Sequence, residues 1–258
     1  MRLNDKVAVI TGAGSGIGRK MAQVFASEGA LVAAGDVNYA TAEETIQSIT
    51  SLGGRGVAIQ VDVANPDSVS ALLAAVLSQF LRVDVLVNNA AIEIDKTIEH
   101  TSYEEWNREV SINLGGVFLC SKHFLPELRK TQGSIINLSS VNGFFAEPNC
   151  AAYCATKGGI IALTKAMAID HGREGVRVNC ICPGYIDTGL AQAYFDSQAD
   201  PLSARQKAGN LHALGRIGQP AEVASVAVFL ASAESSFVTG ASIVVAGGLG
   251  AGLPPLTT

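Results

Sequence analysis

The stretch VAVITGAGSGIGRKMAQVFASEGA, residues 7–30, runs from an apolar β-branched segment through a cluster of glycines into a helical pattern. A chain that turns this tightly between strand and helix needs glycine at the bend, and Gly12, Gly16 and Gly18 stand there. A bend of this kind brings backbone N–H groups against a pyrophosphate at a helix N-terminus. A tight turn without a ligand is the competing explanation, and the next strand weighs against it.

That strand ends AAGDVN, with Asp36 roughly 20 residues beyond the glycines, where a carboxylate accepts hydrogen bonds from adenosine ribose hydroxyls. The same charge repels a 2′-phosphate, and Ser15, Val37 and Asn38 offer no positive charge to hold one. NAD is therefore expected over NADP.

Periodicity extends the alternation along the chain. Strands are predicted at 6–10, 31–35, 57–61, 83–87, 134–138, 176–181 and 242–246, and helices near 16–28, 40–52, 66–80, 103–130, 151–171 and 220–232. Pro66 after Asn65, and Ser102 three residues before Glu105, mark two helix starts. Strict alternation predicts a parallel sheet with right-handed crossovers, and near-continuous apolar strands belong to a sheet covered on both faces. The expected fold class is α/β: a Rossmann-type doubly wound parallel sheet of about seven strands with helices on both faces, in a single domain over 1–258. Residues 185–215 follow a strand end and are helical without a further strand, so they are expected to form an insertion over the site.

Composition narrows the partners. Charged residues make up 16% and apolar residues 48%. The charged share lies below the ~25% usual for soluble domains, so cofactor or other subunits are expected to cover much of the surface. A net charge of −5 argues against nucleic acid or an anionic membrane as partner. No apolar leader precedes the first strand and no apolar run reaches the ~18 residues of a membrane span, so a cytoplasmic protein is expected. The cysteines Cys120, Cys150, Cys154, Cys180 and Cys182 are odd in number with no Cys-x-x-Cys pair, which fits reduced thiols. No histidine completes a ligand set around them, and no metal is expected.

The stretch AAYCATKGG places Tyr153 and Lys157 one helical turn apart. Oxidation of an alcohol by hydride transfer needs a base for the hydroxyl proton. Free tyrosine, with a pKa of ~10, is a poor base at neutral pH. A neighbouring ammonium favours the phenolate, and the charge of an oxidised nicotinamide acts in the same direction.

With these segments in place the chain resembles the short-chain dehydrogenase/reductase family over nearly its full length. The matching motifs are Thr11-Gly12-x-x-x-Gly16-x-Gly18, Asp62-Val63, NNAA at 88–91, Asn113 in SINLGG, NLSSVNG at 137–143, Tyr153-x-x-x-Lys157 and PGYIDT at 183–188. The resemblance implies a cofactor turn of Gly12, Ser15, Gly16, Ile17 and Gly18, with Asp36 and Val37 beside the ribose. It implies that Asp62 and Val63 hold the adenine, that Asn89 lies near the adenosine ribose, and that Pro183, Gly184, Ile186 and Thr188 fix the nicotinamide end. It further implies catalytic roles for Tyr153 as general base, Lys157 as ribose ligand and phenol tuner, Ser140 as holder of the substrate oxygen, and Asn113 as a backbone ligand of a water linking Lys157 to solvent. Ala91 departs from the family glycine and narrows the room beside the nicotinamide.

Around the open side of the nicotinamide stand Glu93, Asn142, Glu147, Asn149, Cys150 and Tyr185, mostly polar groups able to fix several hydroxyls, so a sugar or polyol is expected. For Glu93 and Glu147 a solvated rim position fits equally well. Arg205, Lys207, His212 and Arg216 within and beside the insertion fit either an anionic substrate group or a solvated helix face. A reductase of oxoacyl, steroid or cyclic ketone substrates, and a non-catalytic NAD-binding regulator, are the alternatives. The resemblance also implies pairing of the helices at 103–130 and 151–171 across subunits, giving a homotetramer, with a dimer as the alternative.

Overall fold

The computed structural model describes residues 1–252. Seven strands, β1 (Val7–Thr11), β2 (Leu31–Asp36), β3 (Arg55–Gln60), β4 (Val85–Asn88), β5 (Ser134–Leu138), β6 (Arg177–Pro183) and β7 (Ser242–Val245), form one sheet in the order β3-β2-β1-β4-β5-β6-β7. Every pairing is parallel, as the alternation predicts. The order reverses beside β1, which opens a crevice at the carboxyl ends of β1 and β4, where open α/β sheets bind ligands.

Successive residues of a strand face opposite sides, so β1 feeds two cores. Ala8 and Ile10 join Met21 and Phe25 of α1 (Gly16–Ser27), Ile46 of α2 (Tyr39–Thr50) and Val228 of α9 (Pro220–Ala231). Val7 and Val9 join Leu72 of α3 (Pro66–Phe80), Phe124 of α5 (Gly116–Thr131) and Ala168 of α6 (Ala151–His171). Both faces are therefore covered, which is why β1, β4 and β5 are buried at every position.

The expected helix starts carry the bonds their residues suit. Asn65 accepts from the N–H groups of Asp67 and Ser68, and Ser102 and Glu105 form a reciprocal capping box. The long helix expected over 103–130 is interrupted: α4 (Tyr103–Val110) leads into a π-helical turn at Ser111–Gly115 before α5 begins. Apolar periodicity does not register a single widened turn, and such turns collect at functional sites. The insertion at 185–215 folds as α7 (Gly189–Asp196) and α8 (Pro201–Asn210), and Phe195, Ala208 and Ile217 give it a small core of its own. Among the described residues no helix is long and apolar enough to cross a membrane.

Candidate active site

The glycine turn is built as its spacing requires. Gly12 and Gly16 have φ of 63° and 52°, the left-handed region that favours glycine. A side chain on Gly18 would run into the carbonyl oxygen of Gly12, so strand and helix close on each other only there. Ser15 begins α1 in an extended conformation and makes no side-chain cap, which leaves its hydroxyl and the first N–H groups of the helix facing the cavity. A dinucleotide pyrophosphate fits this cradle, because an anion satisfies those donors.

Asp36 closes β2 at the cavity wall beside Val37. Its Oδ2 accepts from the Gly14 N–H at 2.8 Å and its Oδ1 from the Asn38 N–H at 3.0 Å. Each oxygen keeps a lone pair for a further donor. Asp62 and Val63 line the same end, and Asp62 also accepts from the Ala64 N–H at 2.9 Å. Asn89 faces the cavity too, but its amide is committed: Nδ2 donates to the carbonyls of Thr11 and Gly12, both at 3.0 Å. It ties the end of β4 to the glycine turn, a structural task that the resemblance does not convey. Opposite, Pro183, Gly184, Ile186 and Thr188 line the wall, and a Cβ on Gly16 would lie 3.4 Å from the Thr188 side chain. The segment after β6 therefore passes over the N-terminus of α1.

These residues border one cavity of about 1200 Å³ that continues to Tyr153, Lys157 and Ser140. Lys157 is 3% exposed and donates from Nζ to the Leu138 carbonyl at 2.9 Å. Its ammonium lies 5.3 Å from the centre of the Tyr153 ring. Burial lowers the Lys157 pKa to about 8, against an opposing pull from Glu93. Burial pushes the Tyr153 phenol well above its ordinary value, Glu93 adds to that, and a hydrogen bond with Ser140 opposes it. Burial and the Glu93 carboxylate thus run against the lowering expected from Lys157.

The two adjacent serines separate cleanly. Ser139 donates to the Lys157 carbonyl at 2.8 Å and is spent on holding α6. Ser140 accepts from the Asn142 N–H at 3.1 Å and keeps its proton for the phenol side. Asn113 is 1% exposed and lies behind the cavity wall. Its side chain accepts from the Ile92 N–H and donates to the Ile92 carbonyl, each at 2.8 Å, and also donates to Thr156 at 3.3 Å. The expectation rests on its backbone; what the structure displays is a side-chain clamp on the 89–95 loop.

The remaining candidates gather at the far end of the cavity. Glu93, Asn142, Glu147, Asn149, Cys150 and Tyr185 all line it, as does Ala91. Asn142 donates to Glu147 at 3.4 Å, and the Cys150 thiol donates to Glu93 at 3.4 Å. Burial raises the Glu93 pKa, the Cys150 hydrogen bond lowers it, and the charges of Glu147 and Asp95 raise it again. Asp95, Tyr194, Gln198 and Leu211 also line this end. Sequence reading passes over them because the last three sit on α7 and after it, where no motif marks which face turns inward.

Three of the four basic groups in and beside the insertion have partners within the protein. Arg205 pairs with Asp187 at 2.7 Å and Arg216 with Glu222 at 2.7 Å. His212 is buried and stacks edge-on against Tyr185, with centroids 6.1 Å apart. Ion pairing and packing account for these three groups without a substrate.

Known proteins share both sequence and architecture with this chain. A family profile described as enoyl-(acyl carrier protein) reductase matches residues 12–250. Meso-2,3-butanediol dehydrogenase of Serratia marcescens is 40% identical over 248 residues, covering 96% of each chain. A 3-oxoacyl-[acyl-carrier-protein] reductase of Thermotoga maritima is 39% identical over 250 residues, 96% of this chain and 99% of the relative. The ligand-free aldohexose dehydrogenase of Thermoplasma acidophilum superposes with a TM-score of 0.89 at 36% identity, covering 99% of this chain and 98% of the other. With the seven-stranded sheet, the glycine turn and the Tyr153–Lys157 pair on one cavity, the chain belongs to the short-chain dehydrogenase/reductase family of oxidoreductases acting on alcohol and carbonyl groups.

Proposed function

We propose that the protein is an NAD-dependent oxidoreductase that transfers hydride between NAD and a secondary alcohol or its carbonyl, with a sugar or polyol as substrate. The observation that carries this reading is a single cavity with Asp36 at one end and Ser140, Tyr153 and Lys157 deep within it. When bound, NAD+ supplies the hydride acceptor and a positive charge. Tyr153 takes the hydroxyl proton, Ser140 holds the substrate oxygen, and Lys157, fixed by the Leu138 carbonyl, donates to the nicotinamide ribose and opposes the burial that disfavours phenolate. Asp36 supports NAD over NADP, since a second negative charge at the 2′ position would meet a carboxylate already bonded to the turn.

Glu93, Asn142, Glu147 and Tyr185 support a polyhydroxylated substrate, and α7 with α8 forms its cover. The carboxylates weigh against an anionic acyl carrier at this end. Exposed Phe118 on α5 and Ile169 on α6 support assembly through these helices into a homotetramer, in a cytoplasmic setting with reduced thiols. The test is initial-rate NADH formation across aldoses, polyols, diols and cyclic alcohols, with NAD+ and NADP+ in parallel. Turnover confined to cyclic or acyl substrates overturns the polyol reading, and NAD binding without any turnover overturns the enzymatic one.

A further inference from the structure

Glu109 is fully buried on α4, two residues before the π-helical segment, and neither of its carboxylate oxygens has a hydrogen-bond partner. The reaction proposed above does not use it, and no motif marks it. Its surroundings follow from the clamp made by Asn113. Glu109 and Asn113 are four residues apart, so they present to the same side of their helix. Asn113 grips Ile92 there, which draws the following residues, Glu93 and Ile94, toward Glu109. The groups felt at Glu109 are the Ile94 N–H and the Glu93 carboxylate from the loop, and the Lys157 ammonium from α6, while Glu109 is felt in turn by Tyr153. Arg108 on its own helix is exposed and lines the cavity on the same side as Ser111 and Ile112.

A fully buried carboxyl with no side-chain partner, and with a second acid nearby, ionises only at a cost. We propose that Glu109 retains its proton behind the cavity, and that it acts as a positioning residue that sets the charge balance of Tyr153 and Lys157. The effect on the tyrosine rests on the catalytic reading above; the held proton does not. Burial raises the Glu109 pKa to about 7, which agrees with a proton retained near neutrality. Ionisation of Glu109 stabilises the Lys157 ammonium and opposes the phenolate, whereas a positively charged cofactor or substrate group favours proton release.

The experiment compares the full-length wild type with Glu109→Gln, which keeps the shape and removes the proton exchange. A carboxyl raised in the folded state costs nothing below its ordinary pKa, and its penalty grows as pH rises to about 7. The melting temperature of Glu109→Gln should therefore exceed that of the wild type by on the order of 5 °C above pH 7, with the gap closing toward pH 4.5. Parallel curves for the two proteins would overturn the held proton, whether or not any substrate is found. In alcohol oxidation the rising limb of kcat/KM against pH should move about half a unit or more to lower pH in Glu109→Gln, since the removed charge disfavours phenolate. A lowered rate with an unmoved limb would overturn the positioning role and leave Glu109 as packing. Absence of turnover with any substrate, together with the closing gap, would remove the catalytic reading and its tyrosine coupling while leaving the held proton in place.

Discussion

Asn113 grips the backbone of Ile92 from both sides, its Oδ1 accepting from the N–H and its Nδ2 donating to the carbonyl, each at 2.8 Å. Ile92 directly follows Ala91 and precedes Glu93, so this clamp sets the wall of the cavity next to the proposed nicotinamide end. Asn113→Leu would leave two half-buried backbone groups of Ile92 without partners, at a cost on the order of 1–3 kcal/mol. Chemical denaturation should show that loss. Asn113→Asp, which keeps the acceptor but loses the donors, should fall between; equal stability of all three would show that the clamp contributes nothing.

The Asp36 carboxylate is held by the N–H groups of Gly14 and Asn38. Asp36→Ala removes the charge-assisted acceptor for a ribose and the repulsion of a phosphate together. Binding of NADH should weaken by roughly 10- to 100-fold, and that of NADPH should change less or improve. Fluorescence titration with both cofactors reads the ratio, and an unchanged ratio excludes the ribose role.

Lys157 has its folded pKa lowered to about 8 from an ordinary 10.5, first by burial. A depressed ammonium means that the folded state binds its proton less well than the unfolded state. The destabilisation is full below pH 8, shrinks as pH rises, and is gone above 10.5. A shift of about 2.5 units corresponds to about 3 kcal/mol as a ceiling. Lys157→Met should therefore melt at a higher temperature than the wild type at pH 7, with the advantage falling as pH approaches 10.5, while turnover is lost. A variant less stable at every pH would show that the bond to the Leu138 carbonyl outweighs the buried charge.

Much of this architecture is readable from the amino-acid pattern because its physical causes are local. The apolar strands announce a sheet covered on both faces, and Gly12, Gly16 and Gly18 announce a turn that side chains forbid. What escapes is whatever depends on which way a long or polar side chain turns once packed. The motifs that mark Asn89 and Asn113 say nothing of the Asn89 amide bonds to the glycine turn or of the Asn113 side-chain clamp on Ile92. The π-helical turn at Ser111–Gly115 hides within an unbroken apolar pattern, and Glu109 looks like any helix carboxylate until its burial is seen. The direction of the Tyr153 pKa is likewise invisible in a Tyr-x-x-x-Lys spacing, because it is set by burial and by Glu93, sixty residues away in the chain.

Gly18 tests the close approach of β1 and α1. A methyl group there meets the Gly12 carbonyl and the Asn89 amide, so Gly18→Ala should cost ~1–3 kcal/mol and weaken cofactor binding as the turn shifts. Thermal melts and NADH titration check both, and an unaffected variant would mean that the turn yields without effect.

Tyr153 carries the central claim. Turnover of a polyol or sugar alcohol with NAD+ should fall by roughly 10²- to 10⁴-fold in Tyr153→Phe, because the ring and its packing remain while the proton acceptor is gone. NADH affinity should stay close to that of the wild type. Steady-state NADH formation beside an NADH binding titration, on the same two proteins, is the most direct measurement. Lost turnover with retained binding is the predicted result; turnover retained by Tyr153→Phe would contradict the assignment of the phenol as the base.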